Sequence, residues 1–408
     1  MARLNRLTER LNLKEFQLRA LLDITKAINN NESKEALLNL YAHIIHDELG
    51  IQRLVYFEND GGWRVERSKG DEGAGLEGEV AAFMQVQRDI EFIGSDDGKG
   101  MHRFDIAIPV FHQERPLALL LIGDLDDEDH RMSPTVKHLN FLQTITNLIA
   151  VALENKRFAM RALAEERSRR ELELAAEMQR MLVPKDLPSG GGLVAAAWYQ
   201  PHQQVGGDYY DVIRTGDDEW VVCVADVSGK GIAAALLMAN FQAMLRALLQ
   251  RDHRPLDQLV RELNHNVLER ARGERFITFF IGRADLAQGT MEFVNAGHNP
   301  PLLIQPGGEA TGLMDGSIAL GMLAELPMLN IGRTFIKDAV LLCYTDGLVE
   351  QEDAQGNDFG LDAVKRTLEL LGNAGPQAIN DALMATFENH RGGLAYLDDI
   401  ALLTCSFR

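Results

Sequence analysis

The stretch at 220–238, WVVCVADVSGKGIAAALLM, constrains the fold of this chain more than any other. It opens as a valine-rich apolar run and stops at Asp226. It then turns through Ser228, Gly229, Lys230 and Gly231 and continues as an Ala/Leu-rich helical pattern. The pattern predicts strand, tight turn, helix, with a carboxylate delivered at the strand end. A buried strand that carries an aspartate to a Gly-rich mouth is a natural holder for a hard cation. Alone, it reads better as an ordinary turn aspartate before a helix. Acid residues set in the same style elsewhere in the chain shift that balance.

At 408 residues the chain is too long for one typical core, so two or three domains are expected. A formal charge of −19 leaves no basic excess to neutralise phosphates. That argues against nucleic acid and against docking on an anionic membrane. The three cysteines, Cys223, Cys343 and Cys405, each lie in an apolar strand-like run, so buried free thiols and a reducing compartment are expected. The opening MARLNRLTERLNLKEF is charged throughout, so no signal peptide is expected. No uninterrupted apolar run approaches the roughly 18 residues that cross a bilayer. Together these readings predict a cytoplasmic protein.

Residues 1 to about 50 read as two helices, with Leu18, Leu21, Leu22, Ile24 and Ile28 at helical spacing and cap-like Asn31 and Ser33 before the second. IQRLVYFEND and GWRVERSKG then alternate around an NDGG turn, a hairpin signal. A second hairpin, RFDIAIPVFHQERPLALLLIGDL, turns at HQER, and a long amphipathic helix starts near Ser133. This α+β order resembles a GAF domain over roughly 15–155. The resemblance implies a sensor module, with a small-molecule ligand as one possibility and ligand-free dimerisation as the other. The absence of cysteine from this half excludes a thioether-linked bilin or a thiol sensor.

From 151 to 181 the pattern is continuous, highly charged helix. Leu153, Met160, Leu174 and Met181 share a seven-residue spacing that Arg167 interrupts. A short parallel coiled coil is expected, making a homodimer; a solvated linker helix is the plainer alternative. Pro184 stops the helix and LPSGGG marks a boundary. The expected division is 1–152, a GAF-like sensor; 153–186, a helical coiled-coil linker; and 187–408, a strand-rich domain with helices at 231–251, about 256–271, 361–371 and 376–389.

Five segments of that last domain carry the chemistry: VGGDYYD at 205–211, ADVSGKG at 225–231, NAGHNPP at 295–301, YTDGLVE at 344–350 and LDDIALL at 397–403. Asp208, Asp226, Asp346 and Asp398 each sit at a strand edge or beside glycine. Brought together without a cation they would repel by several kcal/mol. Oxygen-only ligands favour Mg²⁺ or Mn²⁺ over Zn²⁺. Two such ions about 3.5–4 Å apart would acidify a water to attack a phosphoryl centre.

These segments, in this order, closely resemble the PPM (protein phosphatase 2C-like) serine/threonine phosphatases of the SpoIIE/RsbU branch, over roughly 170–408. AAEMQRMLVPKDLP also resembles the helix and stop that precede that domain. The resemblance implies a two-sheet β-sandwich flanked by helices and a two-metal Mn²⁺ or Mg²⁺ site. In that site Asp226 would bridge the ions, the Val227 carbonyl would complete one site, and Asp208 would reach metal directly or through water. Asp346 and Asp398 would hold the second ion. Asp399 stands where many members have asparagine, so either Asp398 or Asp399 coordinates, and Asp398 is preferred.

The substrate it implies is a phosphorylated anti-sigma-factor antagonist of the STAS type, in a partner-switching pathway. The alternative function is a non-catalytic dimeric adaptor, for which a missing metal aspartate would be the mark. Asp211 is expected as a cap, Lys230 as a solvated lysine and His298 as a structural loop histidine. Gly206, Gly207 and Gly229 are expected to permit close backbone approach or positive φ. No arginine is assignable to phosphate.

Overall fold

The computed structural model describes residues 2–93, 99–123, 134–251 and 253–408. The chain divides into two compact units, Met1–Glu166 and Arg167–Arg408. The division falls inside one continuous helix, α4.

The first unit runs α1 (Ala2–Asn29), α2 (Lys34–His43), β1 (Arg53–Asn59), β2 (Trp63–Lys69), α3 (Glu77–Val86), β3 (Glu91–Phe92), β4 (Ile106–His112), β5 (Arg115–Gly123) and α4 (Pro134–Arg180). The Ser33 side chain accepts the Ala36 N–H at 3.1 Å and starts α2, as its cap position predicts. Both expected hairpins form, with Asn59 opposite Trp63 and His112 opposite Arg115. The sheet order is β2-β1-β5-β4-β3. Alternation along β1 sorts its side chains: Leu54 and Tyr56 face the helices α1, α2 and α4, while Val55 and Phe57 face α3. The expected helix start at Ser133 lies outside the described residues. The reading omitted α3, whose short apolar stripe buries only Val80 and Met84.

The second unit continues with β6 (Ser189–Gly190), β7 (Leu193–Gln200), β8 (Tyr209–Arg214), β9 (Glu219–Val227), α5 (Ile232–Arg251), α6 (Leu256–Ala271), β10 (Ile277–Asp285), β11 (Thr290–Ala296), β12 (Leu302–Ile304), β13 (Thr311–Gly312), β14 (Gly316–Ser317), β15 (Gly332–Phe335), β16 (Val340–Tyr344), α7 (Asp346–Val349), α8 (Leu361–Leu371), α9 (Pro376–Arg391) and β17 (Ile400–Phe407). They form two six-stranded sheets. One has the order β14-β11-β10-β9-β8 with β15 added on β11; the other is β13-β12-β16-β17-β7-β6.

The near-continuous apolar strands follow from burial on both faces. In β9, Val222 and Val224 enter the core between the sheets, while Val221, Cys223, Ala225 and Val227 pack under α5 and α6. In β17, Ala401, Leu403, Cys405 and Phe407 face the other sheet, and Ile400 and Leu402 face α8 and α9. The three cysteines are free and buried.

By length and composition α5 is apolar enough to cross a membrane, against the expectation from run-counting. Asn240, Gln242 and Arg246 interrupt its run without lowering its mean hydropathy enough. Its inner face, including Met238, Phe241 and Leu245, lies in the core, with Phe241 edge-on to Phe279 at 5.0 Å.

Candidate active site

The β9–α5 connection turns where the sequence places it. Gly229 and Gly231 both have positive φ (86° and 77°), which lets the chain reverse within four residues. The reversal leaves Asp226 half-buried at the end of β9, opposite Thr278 of β10. Asp208 precedes β8 and is buried; Asp346 opens α7 directly after β16; Asp398 lies just before β17. Four strand ends thus deliver four aspartates.

Three observations show that they converge. A side chain at Gly347, beside Asp346, would overlap the Asp399 carbonyl and come within 3.2 Å of Asp398 Cβ. A side chain at Gly207, beside Asp208, would come within 3.0 Å of the Val227 carbonyl oxygen, so that carbonyl faces the glycine loop. Thr345 Oγ1 donates to Asp208 Oδ2 at 2.7 Å and accepts the Ala401 N–H at 2.8 Å, bracing the β16, β17 and β8 ends against one another.

The electrostatics follow. Burial, then the charges of Asp346 and Asp398, push the Asp226 carboxyl up to about 7, while a hydrogen bond with Asp208 opposes the shift. Burial, then Asp226 and Asp399, carry Asp208 well above the ordinary range. Burial, then Asp398 and Glu350, raise Asp346 to about 6. A cluster so short of positive charge, offering only oxygen donors, suits a hard divalent cation.

The Lys230 ammonium meets part of that demand. Its Nζ pairs with Asp398 Oδ2 at 2.8 Å and donates to the Leu397 carbonyl at 2.5 Å. The expected solvated lysine is therefore a site residue. Among the described residues no three Asp, Glu, His or Cys side chains are arranged to hold an ion as they stand. Thr345 engages one oxygen of Asp208 and Lys230 one oxygen of Asp398, so a cation would compete with Lys230 for Asp398.

Asp399 does a different job. Its Oδ1 accepts the His202 N–H at 2.7 Å and its Oδ2 the Gly207 N–H at 2.6 Å, so both oxygens hold the 202–207 loop. A side chain at Gly206 would press on Tyr199 and Asp399 within 2.8 Å, so the loop depends on glycine for close approach there.

Asp211 is not a cap. It is fully buried in β8 and takes two bonds from the Arg246 guanidinium of α5, at 2.7 and 2.8 Å, and one from the Tyr209 hydroxyl. His298 is buried in a turn held by Asn295, whose side chain accepts the His298 N–H at 2.7 Å and donates to the His298 carbonyl at 3.0 Å. Its Nδ1 meets Thr278 Oγ1 at 2.8 Å, the arrangement of a structural loop histidine.

Two functional residues escaped the reading. Arg275 Nη1 donates to the Ser228 carbonyl at 2.5 Å and lies where a Gly229 side chain would stand. Gln179, near the end of α4, donates Nε2 to the Gly206 carbonyl at 2.6 Å and accepts the Gly206 N–H on Oε1 at 3.0 Å. Ala176, Val205 and Ala235 pack together beside it, joining α4, the glycine loop and α5. Gln179 lies within the quoted AAEMQRM segment, which was the signal available.

Residues 216–408 match the family described as Stage II sporulation protein E. That stretch is similar to SpoIIE-type PP2C phosphatase domains. Asp226, Asp346 and Asp398 lie inside the matched stretch, and Asp208 just ahead of it. The chain is 25% identical over 263 residues to Protein IcfG of Synechocystis sp., covering 58% of this chain and 41% of that protein. It is 27% identical over 188 residues to the phosphoserine phosphatase RsbU of Bacillus subtilis, covering 46% and 55%. The chain thus spans about half the length of these relatives or less. The SiaA-PP2C domain of Pseudomonas aeruginosa superposes with a TM-score of 0.52 at 20% identity, covering 60% of this chain and all of that domain. That superposition places the SpoIIE-type domain in the PP2C fold.

Proposed function

We propose that the chain is a metal-dependent phosphatase acting on phosphoserine or phosphothreonine in a protein. The observation that carries the reading is the meeting of four aspartates from four strand ends, with the carboxyls of three raised by burial and by one another. Asp226 would bridge two Mn²⁺ or Mg²⁺ ions, with Asp208 and the Val227 carbonyl on one side and Asp346 and Asp398 on the other. Asp398 is preferred to Asp399 because both oxygens of Asp399 hold the 202–207 loop, whereas Asp398 accepts the neighbouring Asp399 N–H on Oδ1 and the exchangeable Lys230 ammonium on Oδ2. Bound there, the ions would neutralise charge on the phosphoryl group and make a water acidic enough to act near neutral pH. Thr345 orients Asp208, Asp399 holds the glycine loop, and Lys230, once released from Asp398, offers a cation to the substrate phosphate.

RsbU is named a phosphoserine phosphatase. The branch resemblance points to a phosphorylated STAS-type anti-sigma-factor antagonist as substrate, in the cytoplasm. The N-terminal unit is read as a GAF-like sensor with α4 as a dimerising coiled-coil linker, over the divisions 1–152, 153–186 and 187–408. In this reading α5 and α6 shift with the linker and complete or break the site.

The deciding measurement is Mn²⁺-dependent hydrolysis of a phosphoprotein or p-nitrophenyl phosphate. Wild-type rates surviving in Asp226→Asn would refute the assignment. Calorimetric Mn²⁺ titration separates the enzyme from a non-catalytic adaptor, which need not bind the ion. If a fragment starting at Leu193 matched the full chain in specific activity at every concentration, α4 would not be a control element.

A further inference from the structure

On the N-terminal unit a cavity of about 520 Å³ opens where the α1–α2 turn, the far end of the β1–β2 hairpin and α4 meet. Its volume suits a small organic molecule. The opposite face of the same sheet is filled by apolar side chains such as Val55, Phe57, Phe104 and Leu121.

The cavity is built around matched charge. Glu58, only 5% exposed, takes Lys34 at 2.6 Å and Arg157 at 2.5 Å. Lys34 also pairs with Glu66 at 2.8 Å, and Arg157 with Glu154 at 2.7 Å. The Lys156 ammonium spends its donors on the Asn31 carbonyl, the Asn31 side chain and the Glu32 carbonyl, at 3.2, 2.9 and 2.8 Å. Among the described residues the exposed Arg64 guanidinium of β2 has no ion-pair partner. Cationic side chains outnumber carboxylates in the lining by four to three, in a chain of net charge −19. The apolar part of the wall is Leu153 and the half-exposed Met160 of α4.

We propose that this cavity binds a small organic anion. Its carboxylate or other oxyanion pairs with the Arg64 fork, and its apolar body lies against Leu153 and Met160. A planar guanidinium with free donors takes such an anion through two parallel hydrogen bonds. Bare inorganic anions lack the body that the α4 wall would cover. The site does not depend on the catalytic assignment, since no residue of the aspartate cluster lines it.

The test uses the full chain and 8-anilinonaphthalene-1-sulfonate, an anion with an apolar body whose fluorescence rises on binding. One saturable site is expected, displaced by octanoate and not by inorganic phosphate. Arg64→Glu and Met160→Asp each weaken it by about tenfold or more. Both side chains are exposed, so the variants keep the fold, which circular dichroism checks. Leu236→Ser, an exposed apolar position on α5, leaves the site unchanged. The proposal is overturned if no saturable site appears, if phosphate displaces the dye as well as octanoate does, or if both cavity variants bind like the wild type.

Discussion

Acidifying the protein tests the burial of His298. Burial holds its imidazole down to about 4, against an ordinary 6.5, with only partial opposition from the Tyr344 backbone. Nε2 has no partner in good hydrogen-bond geometry, so a proton placed there would be a buried charge that the Tyr344 backbone only weakly supports. Between pH 6.5 and 4 the unfolded chain therefore holds a proton that the native chain refuses. The contribution to stability is complete above pH 6.5 and is lost as the pH falls toward 4. The whole interval amounts to on the order of 3 kcal/mol, and the step from pH 7.5 to 5.0 to about 2 kcal/mol. The raised aspartates act in the opposite sense, since their native forms bind protons more readily, so the raw pH profile mixes both. Comparison with His298→Gln removes the aspartates from the difference. Urea unfolding in EDTA, in a Trp63→Phe background, makes fluorescence report on Trp198 and Trp220 of the second unit. Wild type should lose about 2 kcal/mol more than the variant over that step. Equal losses, or a greater loss in the variant, would refute a neutral buried imidazole.

Replacing Arg246 with Met strands a fully buried Asp211 and should cost about 3 kcal/mol by urea midpoint; adding Asp211→Asn should recover part of it. Gly229→Ala forces a methyl into the Arg275 guanidinium at a φ of 86° and should cost about 1–2 kcal/mol of local strain, read as a higher Mn²⁺ requirement for hydrolysis that Arg275→Ala partly relieves. Gln179→Ala leaves the Gly206 peptide without partners, a loss of about 1–3 kcal/mol, and should lower turnover more than it lowers the unfolding midpoint.

Much of this protein is legible in the order of its residues because period and punctuation are local. Near-continuous apolar runs mark β9, β16 and β17, and Gly229 and Gly231 mark the turn that exposes Asp226. Long-range pairing is not local. Lys230 reads as a surface lysine until the chain entering β17 brings Asp398 to it from far along the sequence. Asp211 reads as a cap because nothing beside it shows that α5 will lay Arg246 over β8. Asp398 and Asp399 are indistinguishable as letters; in the fold Asp399 holds the 202–207 loop and Asp398 pairs with Lys230.

The Gln179 amide bonds a single peptide unit through both its nitrogen and its oxygen. Slipping α4 by one residue would rotate its faces by roughly 100° and present Met178 or Arg180 to that peptide instead. Neither can replace the pair of bonds. Helix phase and loop placement are thus a single variable, and Asp208, two residues beyond Gly206, inherits its position from the winding of a helix 47 residues long.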